Sequence, residues 1–209
     1  MSNPWKEIPL SDYEGHMTLP EVGQSRMLAD ELTNLLKSYR SKSVAIIGCA
    51  GGNGFDEAFQ SGVERIVGVD INHDYLVETK SRYEGKFSEL DVYCANVEDE
   101  LPDISPVDMI YAALIFEYVD VKKTLSSLKK ICKKGGVLAV LLQLPKEGLS
   151  NVSPSPFTSL GQLTSIMRLV PPSEIHESAK DIGFSLESEK TITLKSQKEF
   201  SLQIYSLPD

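Results

Sequence analysis

Cysteine and histidine are both scarce in this chain, three of each among 209 residues. Cys49, Cys94 and Cys132 are odd in number, widely spaced and form no Cys-x-x-Cys pair. That excludes a disulfide scaffold and a structural zinc site, so no bound metal is expected. Reduced thiols of this kind fit a cytoplasmic protein. Also missing is any apolar run near the roughly 18 residues that a membrane-spanning helix needs. The first ten residues are polar and carry Pro4 and Pro9, so neither a secretory leader nor a membrane partner is expected. Basic residues are outnumbered, 21 Lys and Arg against 30 Asp and Glu, which leaves a formal charge of −9. Such a field opposes the approach of a polyanion, and nucleic acid is not the expected partner. The chain has no internal repeats.

What is present is enough apolar material for one core, 41% of the residues, with little left for a second. Residues 1–21 hold Pro4, Pro9, Gly15 and Pro20 among Trp5, Tyr13 and Met17. This pattern of turns with aromatic anchors predicts an arm that packs on the domain. From 22 to 39, Met27, Leu28, Leu32, Leu35 and Leu36 recur at helical spacing. Strand-like stretches at 43–48, 65–70, 89–95, 107–113 and 137–144 then alternate with helical ones at 53–61, 73–83 and 120–132. Lys133 and Lys134 are expected at the negative end of the last of these helices, closed by Gly135 and Gly136. Alternation of this kind implies right-handed crossovers and a mainly parallel sheet covered on both faces. The tail departs from it. A Pro- and Ser-rich loop leads to a helix at 173–182 and strand-like stretches at 184–194 and 200–207. The link between those two is too short for a parallel crossover, so they pair antiparallel.

Between the first strand and the next helix the chain reads VAIIGCAGGNG, Val44 to Gly54, with Gly48, Ala50 and Gly52 in the turn. Small residues there let a ligand approach the backbone over the strand ends. The second strand finishes in Val69, Asp70 and Ile71. A carboxylate at that point reaches both hydroxyls of a ribose, while Ile71 packs on a purine face. No Gly-Lys-Ser/Thr follows the turn, which excludes a P-loop. Turn and acid together point to a ligand that carries a nucleoside.

In motif content and order, Ser43 to Leu144 resembles the class I S-adenosylmethionine-dependent methyltransferases. The turn at Gly48, Cys49, Ala50 and Gly52 is similar to the family's first motif, and Asp70 matches its ribose acid. Ala95-Asn96-Val97-Glu98 resembles the third motif, where an amide or carboxylate recognises the adenine amino group. DMIYAALIFEYV, Asp108 to Val119, resembles the fourth strand and its turn, and Lys133 to Val137 resembles a Lys-Pro-Gly-Gly turn with Lys134 in place of proline. The resemblance implies an α/β three-layer sandwich, with a seven-stranded, mainly parallel sheet ending in an antiparallel hairpin. It implies S-adenosylmethionine as cofactor and S-adenosylhomocysteine as product. The cofactor-binding residues it assigns are Gly48, Cys49, Ala50, Gly52, Asp70, Ile71, Asn96, Val97, Ala112 and Phe116. One domain is expected: residues 1–40 as arm and covering helix, 43–144 as cofactor core, 145–172 as substrate loop and 173–209 as helix and hairpin. Two positions depart from the family. Ile46 stands where an acid is common and Ala50 replaces the second glycine, so the methionine ammonium has to find other acceptors, such as backbone carbonyls.

The acceptor is expected beside Phe116, Glu117 and Tyr118, walled by Tyr13, His16 and Met17 and by Phe157, Met167 and Arg168. Glu117 and His16 are the candidate bases, and Arg168 is a candidate grip for an anionic group. A small-molecule acceptor fits best, with a protein side chain as the other choice. Two further readings compete. Tyr118-x-x-x-Lys122 with Ser105 imitates an NAD-dependent dehydrogenase, although Ser105 precedes the fourth strand. A non-catalytic nucleoside-binding or partner module is kept open by Ile46, and such a module would fill its cleft with side chains.

Overall fold

All five residues of β1, Ser43–Ile47, are buried, a pattern open only to a strand covered on both faces. Side chains alternate along it. Val44 and Ile46 join a cluster with α2 (Gln24–Tyr39), α3 (Phe55–Gln60) and α4 (His73–Tyr83), while Ala45 and Ile47 face α5 (Val121–Lys130) and α6 (Pro172–Asp181). The computed structural model describes residues 3–208, so the outermost ends of the expected arm and hairpin segments, 1–2 and 209, lie outside the described residues.

The other strands are β2 (Arg65–Asp70), β3 (Glu89–Cys94), β4 (Val107–Ala113), β5 (Cys132–Gln143), β6 (Ser185–Thr193) and β7 (Glu199–Ser206). They form one seven-stranded sheet in the order β3-β2-β1-β4-β5-β7-β6. β1 to β5 are parallel, whereas β7 pairs antiparallel with both β5 and β6. The expected three-layer sandwich with its closing hairpin is therefore present. Strand order reverses at β1 and β4, and in an open sheet of this kind the crevice beyond that point takes ligands.

Two local expectations are corrected. Residues 10–17 are not turns but a helix, α1 (Leu10–Met17), which buries His16 and Met17. Contacts from elsewhere in the fold hold it. The Ile8 carbonyl accepts from Tyr75 Oη at 2.8 Å, and Ile8 packs with Leu160 and Leu163 of a 3-10 turn, Thr158–Ser165, inside the long loop. Gly15 allows α1 to meet that loop, because a Cβ there would stand 2.3 Å from Phe157 Cζ. Gly15→Ala is thus expected to lower stability by about 1–2 kcal/mol despite alanine's better helix propensity. An unchanged thermal midpoint would show that the Phe157 ring moves aside without cost.

The second correction concerns β5, which starts at Cys132. Lys129 and Lys130 supply the cations of the last turn of α5, while Lys133 lies in the strand and donates to Asp108 Oδ1 at 2.7 Å. Asp108 Oδ2 also accepts from Lys42 N at 2.9 Å and Ser43 N at 2.8 Å, fastening the starts of β1, β4 and β5. Partial burial raises the pKa of Asp108, but Lys133 and the Ser43 and Lys42 donors outweigh it and hold the group at about 2. Among the described residues, no helix is long and apolar enough to cross a membrane.

Candidate functional site

A cleft of about 610 Å³ opens where the strand order reverses. Its floor is the turn after β1. Gly48 N and Cys49 N both donate to the Val69 carbonyl, at 2.8 and 3.3 Å, and this ties the turn to β2. The turn stays bare for steric reasons: Gly52 has φ +103, and a Cβ on it would meet the Tyr83 ring at 2.3 Å. Ala50 has φ +46, a left-handed conformation that costs a side-chain-bearing residue roughly 1–2 kcal/mol. Two bonds hold it there: its N–H donates to Asp70 Oδ2 at 2.8 Å and its carbonyl accepts from Thr79 Oγ1 at 2.8 Å.

Asp70 stands at the end of β2, with Oδ1 accepting from Asn72 N at 2.9 Å. Burial raises its pKa, and the backbone donors of Asn72 and Ala50 only partly offset that. Each oxygen keeps a further lone pair, and the residue lines the cleft. Across the turn, after β4, Glu117 is 1% exposed. Its Oε1 accepts from Gln143 N at 2.7 Å, whereas Oε2 is buried without a partner. Burial lifts its pKa to about 7, and the Gln143 donor offsets only part of the rise. His16 faces the same cleft with Nδ1 unpartnered, and burial, helped by the nearby Lys198 charge, pushes its pKa down.

The structure brings Gly48, Ala50, Gly52, Asp70, Ile71, Asn96, Val97, His16 and Glu117 around this one cleft. Cys49, Ala112 and Phe116 are corrected, because all three are fully buried in the core. Cys49 packs beneath Gly68, with Sγ only 2.9 Å from where a Cβ on that glycine would stand. Alternation along β4 turns Ala112 toward α5 and Ala113 toward the cleft. Leu114, at φ +56, then reverses the chain so that Ile115 reaches the wall and Phe116 the core. Phe157 and Arg168 also leave the expected wall. Phe157 covers Gly15, and the Arg168 guanidinium is held by both Glu174 oxygens at 2.9 and 3.0 Å. Tyr13, Met17, Tyr118 and Met167 do line the cleft.

Several wall residues escaped the sequence reading. Trp5 edges onto Tyr13 and Tyr118, with ring centroids 5.8 and 5.1 Å away, and the Trp5 carbonyl accepts from Asn72 Nδ2 at 2.9 Å. Gln24, Ser25 and Arg26 bring the N-terminus of α2 to the cleft, beside Ile46. Gln143 closes the far side. No local signal in the sequence marked any of these. Among the described residues, no group of three His, Cys, Asp or Glu side chains is placed to hold a metal ion. Ser105 precedes β4 and Tyr118 follows it, so the dehydrogenase-like trio is split between opposite ends of the sheet.

Residues 46–140 match the family model of a methyltransferase domain. No curated protein matches the chain in sequence. Among solved structures, the N-methyltransferase NodS from Bradyrhizobium japonicum WM9, in complex with S-adenosyl-l-homocysteine, is similar over 100% of both chains at a TM-score of 0.70 and 13% identity. The magnesium protoporphyrin IX methyltransferase ChlM from Synechocystis PCC 6803, solved with bound SAM, is similar over 88% of this chain and 80% of its own, at 0.65 and 14%. The cyclase SpnF is similar over 86% of this chain and 81% of its own, at 0.67 and 13%. At such identities the likeness is one of fold. With the family match, it bears out the resemblance to the class I methyltransferases: the chain has their fold and carries their domain's sequence pattern.

Proposed function

We propose that this protein is an S-adenosylmethionine-dependent methyltransferase acting on a small-molecule acceptor in the cytoplasm, its four segments working as one domain. The observation that carries this reading is the open cleft at the strand reversal, with a buried acid on each side of the bare turn. Asp70 lines the cleft with lone pairs that suit a ribose diol, and Glu117 has one oxygen without a partner. The residues present fit the cofactor. Ile71, Asn96 and Val97 offer an adenine site, and Ala50 and Gly52 leave room for the chain of atoms between nucleoside and sulfur. Gln24, Ser25 and Arg26, at the positive end of α2, suit the methionine carboxylate. Ile46 supplies no charge for the ammonium, which leaves carbonyl groups of the turn to receive it.

S-adenosylmethionine supplies a methyl group on a cationic sulfur. Since no covalent help from protein is required, the residues act by positioning and by excluding water. The arm and the long loop close over the cleft through Ile8, Trp5, Leu160 and Leu163, which favours a small acceptor over a protein side chain. Glu117 takes the acceptor's proton, and His16, held neutral, is the second candidate base. An adaptor would have filled the cleft with its own side chains, and a 4+2 or other cyclase activity on the same fold would need no methyl donor.

A thermal-shift series tests the reading. S-adenosylmethionine and S-adenosylhomocysteine at about a hundred times their dissociation constants are expected to add roughly 2.7 kcal/mol, with no response to NAD. A response to NAD alone would replace this reading with the dehydrogenase one, and silence toward all three would leave the adaptor.

A further inference from the structure

The wall around Glu117 has a definite chemical bias. Three of its buried polar atoms have no hydrogen-bond partner: Glu117 Oε2, His16 Nδ1 and Trp5 Nε1. Among the described residues the cations near this wall are engaged elsewhere, and Arg26, which lines the cleft at the start of α2, is the one assigned above to the methionine carboxylate. Arg168, the expected grip for an anion, is fully engaged by Glu174, and Arg82 is paired with Glu14 and Glu78. Lys198 lies behind the wall, its ammonium spent on the Asn151 carbonyl at 2.6 Å and on Gln143 Oε1 at 3.5 Å. What faces the space is a carboxyl group, a neutral imidazole and the rings of Trp5, Tyr13 and Tyr118, which are good neighbours for a cation and poor ones for an anion. Leu160, Leu163 and Met167 complete this part of the wall with apolar surface. The net charge of −9 draws cations toward the molecule and repels anions.

We infer that the methyl acceptor is an amine carried on an apolar body, its nitrogen bound at Glu117 and its hydrocarbon part lying on Leu160, Leu163 and Met167. This rests on the methyltransferase reading and deepens it. The amine arrives as an ammonium and pairs with the Glu117 carboxylate. One N–H proton passes to Glu117, a transfer eased because the neighbouring sulfonium repels a second positive charge. The freed nitrogen lone pair forms the N–C bond as the C–S bond breaks and its electron pair stays on sulfur. The products are a methylated ammonium and a neutral thioether, and the proton on Glu117 returns to solvent when they leave. Carboxylate and phosphate acceptors are disfavoured by the same wall, since each would set an anion beside an acid with no cation to pair it.

The groups that set the charge at this point are few. Among the described residues they are Glu117 and Tyr118 after β4, His16 and Tyr13 on α1, and Lys198 ahead of β7, with Asp70 and Glu14 acting on Tyr13; Arg168 contributes its backbone N–H, which donates to the Glu117 carbonyl at 2.8 Å.

Calorimetric titration of the full chain gives the test, with 2-phenylethylamine, 2-phenylethanol and phenylacetate as probes of one shape and three charges. S-adenosylhomocysteine is titrated first, and its binding alone judges the methyltransferase reading. With that ligand saturating, the amine is expected to bind at least tenfold more tightly than the alcohol or the acid, and to release protons at pH 7. In Glu117→Gln the preference and the proton release should vanish while S-adenosylhomocysteine affinity stays within twofold. Equal or better binding of phenylacetate or the alcohol overturns the amine proposal, as does failure of all three probes to bind or survival of the preference in Glu117→Gln. Leu163→Ala separates the second half of the claim: it should weaken amine and alcohol alike without changing their ratio. An unchanged affinity there removes the apolar platform from the proposal.

Discussion

Glu117→Gln is expected to yield a protein that is more stable than the parent at pH 8 and slower in methyl transfer by about 10²–10⁴-fold, the usual range for losing a positioned base. Both effects have one origin. Glu117 is a fully buried carboxyl whose pKa stands at about 7 against an ordinary 4.5, with burial as the main cause. The folded chain therefore holds a proton that the unfolded chain has released, and stability falls as pH rises from about 4.5 to about 7. Below that window the group is protonated in both states and adds no penalty. Above it the full penalty applies, on the order of 3 kcal/mol at about 1.4 kcal/mol per pH unit. Glutamine keeps a carbonyl oxygen for the Gln143 N–H and cannot ionise, so the variant escapes the penalty.

For a chain of this size, the thermal midpoint at pH 8 should rise by about 6–12 °C, and the two proteins should melt together near pH 4. Parent activity should climb with pH to a plateau, with its midpoint near 7, because only the ionised carboxylate accepts a proton. Circular dichroism melts at the two pH values and a pH profile of kcat/KM, which reports the free protein's groups, check both statements. A lower midpoint for the variant at pH 8 would mean that the carboxylate is satisfied by something other than Gln143, and a flat pH profile would remove it from the chemistry. That a buried acid is kept at such a cost fits the general trade between stability and activity.

The strand and helix order was legible because hydrophobic period alone separates the elements from 43 to 144, and the glycine turn and Asp70 were legible because both lie in consecutive residues at strand ends. The arm was not. Leu10–Met17 has weak helical patterning of its own, and its partner Phe157 is far away in sequence, so only the folded contact decides its form. Side-chain direction within a motif was equally hidden where the backbone leaves ordinary geometry. Phe116 was expected beside the cofactor, but past Leu114, which has a positive φ, Ile115 and Glu117 line the cleft and Phe116 enters the core. Gln143 and the N-terminus of α2 reach the site through strand pairing and helix packing, which leave no mark at those positions in the sequence.

Asp70→Ala is expected to weaken S-adenosylhomocysteine binding by at least about 100-fold. Two hydrogen bonds from a ribose diol to a carboxylate contribute about 1.5–3 kcal/mol each, so the loss of both exceeds that factor. The substitution has a second effect, because the N–H groups of Ala50 and Asn72 lose their acceptor. Ala50 at φ +46 depends on that bond to stay left-handed, and a relaxed turn would move the floor of the cleft as well as its acid. Asp70→Asn separates the two: one amide oxygen still accepts from a backbone N–H, while the charge and the second acceptor are gone. Calorimetry should therefore find most of the affinity loss in Asp70→Asn already, with a smaller fall in thermal midpoint than in Asp70→Ala. If instead the asparagine variant binds as tightly as the parent and only the alanine variant fails, Asp70 serves to hold the turn and the ribose is gripped elsewhere. Full affinity in both variants would place the nucleoside outside this cleft, and the methyltransferase reading would lose the contact on which its cofactor geometry depends.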